Sequence, residues 1–298
     1  MSKMKSVYGE PKDGYSKSLR TKSIILTVWF IILTIICLLP IYILLINATR
    51  SHTDISTSVS FIPGSNLGNN FKAMTADPNF KLSYSALAGY KNSLIITVCS
   101  TILTVFFSAL TAYGMHVYDF KLKEISYTIV LLVMMIPMQV TSAGFVSFMA
   151  DLGLTNTYWP LIIPAVAAPS VVYFMRSYMQ SSFSMAIVEA ARIDGCSEFR
   201  TFVSIAIPMM KPAIAVQAIF AFIASWNNFY TPNMILISVK LKQKTLPMMV
   251  SALQASDKIA NYGAVYLAIA LSIVPIIIAY VFLSKFIIAG VALGGVKE

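Results

Sequence analysis

Residues 24–46 read IILTVWFIILTIICLLPIYILLI, twenty-three consecutive positions without a charge. As a helix rising 1.5 Å per residue the run extends about 33 Å, enough to cross the hydrocarbon core of a bilayer. A secretory signal is the competing reading, but its apolar region is normally about 7 to 15 residues long and ends in a small-residue cleavage pattern. Neither feature fits, so the run is read as an uncleaved first transmembrane helix.

Working outward, further uncharged stretches occupy 92–115, 125–150, 158–175, 212–236 and 263–283. Only 11% of the 298 residues are charged and 57% are hydrophobic, against about 25% charged in a soluble domain. The pattern predicts an all-α fold, a polytopic membrane bundle of six helices. The fourth stretch carries Pro160, Pro164 and Pro169. Such breaks are tolerated only where neighbouring helices or a polar cavity satisfy the freed carbonyls.

Charge placement divides the rest. Residues 1–23 form a basic segment and 24–298 a transmembrane domain, with a long polar loop at 47–91 predicted to fold as an external cap with short helices. With both termini in the cytoplasm, the segments on that side hold 14 Lys and Arg and the external ones 8. That bias follows the positive-inside rule. Lys240, Lys242 and Lys244 run against it, and the basic amino terminus decides the orientation.

Several functions are excluded or disfavoured. The net charge of +10 is spread among loops rather than gathered on a recognition helix, so no nucleic-acid partner follows. Cys37, Cys99 and Cys196 share no metal-ligand spacing, and no metal is expected. No ionisable side chain lies well inside a span, which makes an ion-coupled secondary carrier the lesser reading. His52 and His116 both lie outside the spans, leaving no hydrolytic site at membrane depth. No G-x-x-x-x-G-K-[ST] loop exists, so the chain lacks the phosphate cradle needed to hydrolyse ATP itself, and no cofactor is expected in it. Energy for active transport would have to come from another polypeptide.

The segment 176–211 is the most polar of the second half. It contains Glu189-Ala190-Ala191-Arg192-Ile193-Asp194-Gly195-Cys196 and reaches Pro208 through Ile205-Ala206-Ile207. The residues predict a short helix, a glycine break and a second short helix stopped at proline. Glu189 and Arg192 stand three apart and can pair. Ile187, Ala190 and Ala191, then Phe199, Phe202, Val203 and Ala206, offer an apolar strip suited to docking. Periodicity alone equally allows a plain connector.

The residue order resembles the EAA-x3-G-x9-I-x-L-P signature of permease subunits of ATP-binding-cassette importers, matched at Glu189, Ala190, Ala191, Gly195, Ile205 and Pro208, with Ile207 at the Leu position. The resemblance extends from about residue 24 onward and is to the MalG-like subunits of carbohydrate importers. Trp226-Asn227-Asn228-Phe229 with Pro232 is similar to that family's W-N-E-F-x-x-P stretch, Asn228 standing where Glu is common. Thr245-Leu246-Pro247 and the tail Gly290-x3-Gly294-x2-Lys297 are similar as well, although Glu298 replaces a usual final Gly.

This resemblance implies a non-catalytic permease subunit in a bacterial or archaeal cell membrane. Its implied partners are a second permease subunit, a dimer of ATPase subunits that use ATP and Mg, an extracellular or periplasmic solute-binding protein, and a carbohydrate substrate. The loop bearing Glu189, Ala190, Ala191, Asp194, Gly195 and Pro208 would dock in a cleft of the ATPase. Because that loop reports on the engine and not the cargo, a polyamine or phosphonate importer remains the alternative.

For the substrate path, Ser93, Thr97, Ser100, Thr104, Ser108 and Thr111 recur at helical spacing. Helix packing is the default reading of such a stripe and pathway lining the lesser one. Trp226, Asn227, Asn228 and Tyr230 combine aromatic rings with amides, which suits a sugar and equally an interfacial aromatic belt.

Overall fold

The computed structural model describes residues 13–256 and 261–294. Residues 1–12 of the basic segment, Lys258, and Lys297 and Glu298 of the tail lie outside the described residues. Among the described residues the chain is helical with no strand. Its helices are α1 (Asp13–Ala48), α2 (His52–Thr57), α3 (Leu67–Ala76), α4 (Pro78–Ser83), α5 (Ala86–Val117), α6 (Lys123–Met134), α7 (Met138–Asp151), α8 (Trp159–Ile162), α9 (Pro169–Ser182), α10 (Met185–Ile193), α11 (Glu198–Thr201), α12 (Ile207–Met209), α13 (Lys211–Trp226), α14 (Tyr230–Ile235), α15 (Leu246–Gln254) and α16 (Tyr262–Gly294).

Four helical stretches among the described residues are long and apolar enough to cross a membrane: Arg20–Ala48, Pro78–Val117, Trp159–Ser182 and Tyr262–Phe282. The number is six if each of two bent pairs makes one span, Lys123–Met134 with Gln139–Asp151 and Glu198–Met209 with Lys211–Trp226.

Two expected continuous spans are interrupted, for reasons written in their prolines. In 125–150, Pro137 has no N–H for the carbonyl of Val133, which takes the Ile136 N–H at 3.2 Å instead. In 212–236, α13 ends at Trp226 and α14 begins only at Tyr230. Pro232 cannot donate to the Asn228 carbonyl, and the Asn228 side chain accepts the Thr231 N–H at 3.2 Å, offering the backbone an alternative to a continuous helix.

The chain divides into two compact units, Met1–Phe71 with Asn261–Leu267, and Lys72–Ala260 with Ala268–Glu298. Within the first, buried Arg50 donates to the Asn47 side chain at 3.2 Å, the Asp54 carbonyl at 2.8 Å and the Ser58 hydroxyl at 3.0 Å. The Asn70 amide donates to the carbonyls of Ala48 and Arg50, each at 2.9 Å. A Cβ at Gly263 would collide with Arg50 and Asn70, so close backbone approach requires glycine there.

The second unit is built on α5, which packs against α9 and α13. Asn92 anchors the segment after α14 by donating to the carbonyls of Lys242 and Lys244 at 2.8 and 2.9 Å. Leu246 N–H donates to the Ser93 hydroxyl at 2.8 Å. Within the hydroxyl stripe of α5, Ser93 thus serves packing.

Candidate functional site: an uncharged cavity and an exposed loop

The fourth predicted span arrives in pieces: α8, a 3-10 turn over Ile163–Val166, and α9. Its freed carbonyls are met by α5. Thr104 donates to Ala165 at 3.0 Å, and the Ser100 hydroxyl, which bonds the Ile96 carbonyl of its own helix at 2.6 Å, also lies 3.1 Å from the Leu161 carbonyl. Beside this break lies a cavity of about 830 Å³ whose polar lining includes Ser100, Thr104, Gln139, Ser142, Gln217 and Asn228. No charged side chain is among its lining residues.

Of the four residues picked from sequence, the structure brings two to this cavity. Asn228 and Tyr230 line it, and the Tyr230 hydroxyl lies 3.0 Å from that of Ser142. Trp226 is only 2% exposed, stacks on Phe222 and donates its Nε1–H to the Ser272 carbonyl at 3.0 Å. Asn227 faces a smaller cavity of about 340 Å³ on another side, with Phe229 and Gln254. Gln139 and Gln217 were missed. The signal was available, since each is an amide inside an otherwise apolar run.

The 176–211 segment folds as a knob. Ser184 caps α10, and Gly195 ends it in the left-handed region at φ 76°. Cys196 N–H bonds the Ala191 carbonyl at 2.9 Å and Gly195 N–H the Arg192 carbonyl at 3.1 Å, the pair of bonds of a Schellman stop. Ser197 then caps α11, a π turn covers Phe202–Ala206, and α12 carries Pro208 within it. The expected stop at Pro208 falls instead at Met210, where the chain turns by 80° into α13. The widened turn is what lets the helix pass a residue with no N–H to donate.

Two expectations about the knob are corrected. Arg192 pairs not with Glu189 but with Glu198, Nε to Oε1 at 2.7 Å. The second oxygen of that carboxylate accepts the Tyr118 hydroxyl at 2.7 Å. These two bonds, Arg192 first, hold the Glu198 carboxyl below the usual carboxylate range. Partial burial, followed by the bond to Glu198, pushes the Tyr118 phenol up to about 12.

The apolar strip also divides. Of its members Ala191, Phe202 and Ala206 are buried, and the last two join Val188, which lay outside the expected strip, in a core with Tyr113, Met175 and Met179. Phe199 at 65% exposure, Ala190 and Val203 face outward, as does Ile193 at 87%, which lay outside the expected strip. Glu189, Asp194, Gly195 and Pro208 are exposed as well. Among the described residues no His, Cys, Asp and Glu gather in a group able to hold a metal ion.

The sequence profile described as "Binding-protein-dependent transport system inner membrane component" matches residues 104–292. The arabinooligosaccharides transport system permease protein AraQ of Bacillus subtilis is 34% identical over 278 residues, covering 92% of this chain and 95% of that one. The trehalose/maltose transport system permease protein MalG of Thermococcus litoralis is 29% identical, covering 93% and 97%. In fold, the chain is similar to a solved bacterial ABC transporter involved in the import of the acidic polysaccharide alginate. The TM-score is 0.77 at 22% identity, over 93% of this chain and 99% of that one.

Proposed function

We propose, on the premise that this chain belongs to the family of binding-protein-dependent transport system inner membrane components, that it forms half of the translocation pathway of an ATP-binding-cassette importer for a sugar or oligosaccharide. The observation that carries the substrate class is the lining of the larger cavity. Set in a mostly apolar wall, it offers hydroxyls, amides and the Tyr230 ring, and no charge. A neutral sugar both donates and accepts at every hydroxyl, and amides and hydroxyls answer both needs, while an aromatic face suits the apolar side of a pyranose or furanose. A polyamine or phosphonate would enter with its charge unpaired by this lining, at a high desolvation cost. The names of the relatives, which carry arabino-oligosaccharides, trehalose or maltose, agree with a sugar.

In this reading the chain performs no chemistry. ATP and Mg are used by a pair of separate ATPase subunits, a second permease subunit completes the channel, and an external solute-binding protein delivers the cargo. The 176–211 knob docks on the ATPase through Glu189, Ala190, Asp194 and the turn at Gly195, with Ile193 and Phe199 as its apolar contacts. Both termini and the knob lie in the cytoplasm. Ala191 and Pro208 shape the knob from within and from its base.

Reconstitution with the partner subunits in liposomes tests this. ATP-dependent uptake of neutral oligosaccharides from a panel of sugars, polyamines and phosphonates is the expected result. Uptake of only the charged solutes would overturn the substrate class. Uptake by this chain alone, under an ion gradient and without nucleotide, would overturn the ATP-driven reading.

A further inference from the structure

We infer that Glu198 is the positioning residue that fastens the 176–211 knob to α5, so that a displacement of the knob moves the helix lining the cavity. The inference rests on the coupling role proposed above for that knob. One carboxylate joins three elements. Its Oε1 accepts from Arg192 in the last turn of α10, its own residue opens α11, and its Oε2 accepts from Tyr118, which caps the carboxy end of α5. Glu189, the acidic residue of the recognisable motif, faces solvent instead.

The apolar mooring alone would not give a directed linkage. Phe202 sits against Phe106 and Tyr113 of α5 at centroid distances of 5.9 and 5.3 Å, and hydrophobic contact is non-directional. It holds the knob close without fixing its register. Two short bonds to an ionised acceptor, one at each oxygen, do fix it. From Tyr118 the rigid helix runs about 21 Å to Thr104. There Thr104 holds the Ala165 carbonyl of the broken span at the cavity wall.

Because the Arg192 and Glu198 side chains are partly open to water, their pair adds little to fold stability. Its loss should therefore appear in coupling and not in folding. The test uses the whole transporter purified with its partner subunits, with Cys37, Cys99 and Cys196 replaced by Ser. A cysteine introduced at the cavity-lining position Ala221 reports, through its reaction rate with a water-soluble maleimide, how the cavity responds to Mg-ATP.

In Glu198→Gln and in Tyr118→Phe the ATP-dependent change in that rate should fall by about threefold to fivefold, the size of coupling typical of groups in one bonded network. The double variant should be no worse than Glu198→Gln alone. Subunit association and melting temperature should not move. An unchanged ATP response in both single variants, or additive losses in the double, would overturn the inference. Gly195→Val distinguishes the layers. If it leaves association and the ATP response intact, the coupling role of the knob itself fails; if it abolishes them while Glu198→Gln and Tyr118→Phe respond normally, only the tether fails.

Discussion

Thr104 donates its hydroxyl proton to the carbonyl of Ala165 at 3.0 Å, and Pro169, four residues on, has no N–H with which to serve that carbonyl. The threonine of one helix thus completes the hydrogen bonding of another. Thr104→Val keeps the shape and removes the donor, leaving a part-buried carbonyl unpaired. Side-chain hydrogen bonds between membrane helices contribute on average only about 0.6 kcal/mol, but an orphaned buried acceptor costs about 1–3 kcal/mol. A loss near 1 kcal/mol is expected, with Thr104→Ser close to unmodified. Thermal unfolding in detergent measures it, and equal stability of the valine variant would show that this bond is dispensable.

That contact marks where the sequence stops being legible. Six uncharged runs and the prolines at 160, 164 and 169 are plain in the sequence, and so is the need for something to satisfy the freed carbonyls. Which hydroxyl does so depends on the azimuth of α5 against the broken span, and a run of Ser and Thr at helical spacing does not fix an azimuth. The knob shows the same limit. Helical spacing pairs Glu189 with Arg192, yet the positive φ at Gly195 turns the chain back and delivers Glu198 to Arg192 instead. Likewise Trp226 and Tyr230 are four residues apart, but Asn228 and Pro232 interrupt the helix between them, and the two rings face different surroundings.

Trp226 is expected to act on stability and not on selectivity. It is nearly fully buried, and its ring N–H is bonded to Ser272. Trp226→Phe keeps an aromatic ring against Phe222 but leaves the Ser272 carbonyl without that donor and opens a small void. A destabilisation of about 1–3 kcal/mol follows. Uptake assays on the assembled variant should give an unchanged ranking of solutes; a changed ranking would put the ring in the pathway.

Tyr230 should behave in the opposite way. Its hydroxyl meets that of Ser142 at the cavity lining, and its ring is half-exposed. Tyr230→Phe removes a hydroxyl that can turn toward a solute, at the cost of about 0.5–1.5 kcal/mol per bond, so a severalfold rise in the apparent KM for uptake is expected with assembly unaffected. Asn228→Ala is the poorer probe, because Asn228 also bonds the Thr231 N–H and its loss disturbs α14. Identical uptake kinetics in Tyr230→Phe across neutral sugars would remove Tyr230 from the pathway.

The Glu198 carboxyl should titrate below the usual carboxylate range, chiefly through Arg192 and secondarily through Tyr118. A depressed folded value means that the contribution of this group is present above its unfolded value and lost as pH falls through the folded one. The tie therefore persists through mildly acidic conditions and breaks only below the ordinary range. Infrared difference spectra, with Glu198→Gln as the blank, follow the carboxylate directly. Arg192→Gln should raise the titration more than Tyr118→Phe. Titration of Glu198 at the ordinary carboxylate value in the unmodified protein would contradict the geometry.

Gly195 offers a substitution series in which backbone conformation and steric room can be separated. Its φ of 76° lies in the left-handed region, and a Cβ placed there meets nothing within 4 Å. Any penalty is therefore conformational and not a collision. An ordinary L-residue in that region costs about 1–2 kcal/mol, a β-branched residue is a genuine outlier there, and Asn is among the residues that tolerate it best. The turn can relieve the strain only by giving up the two bonds that stop α10, which would swing Asp194 and the exposed Ile193 out of place. The expected order of damage is Gly195→Asn least, Gly195→Ala intermediate and Gly195→Val most, read as co-purification of the ATPase subunit and as solute-stimulated ATP hydrolysis. Membrane insertion should be the same in all three, because the turn lies outside the apolar spans and no span depends on it. If Asn were as damaging as Val, the requirement would be for the absence of a side chain at a contact surface. If Val behaved like the unmodified protein, the shape of this turn would have no part in linking ATP use to transport.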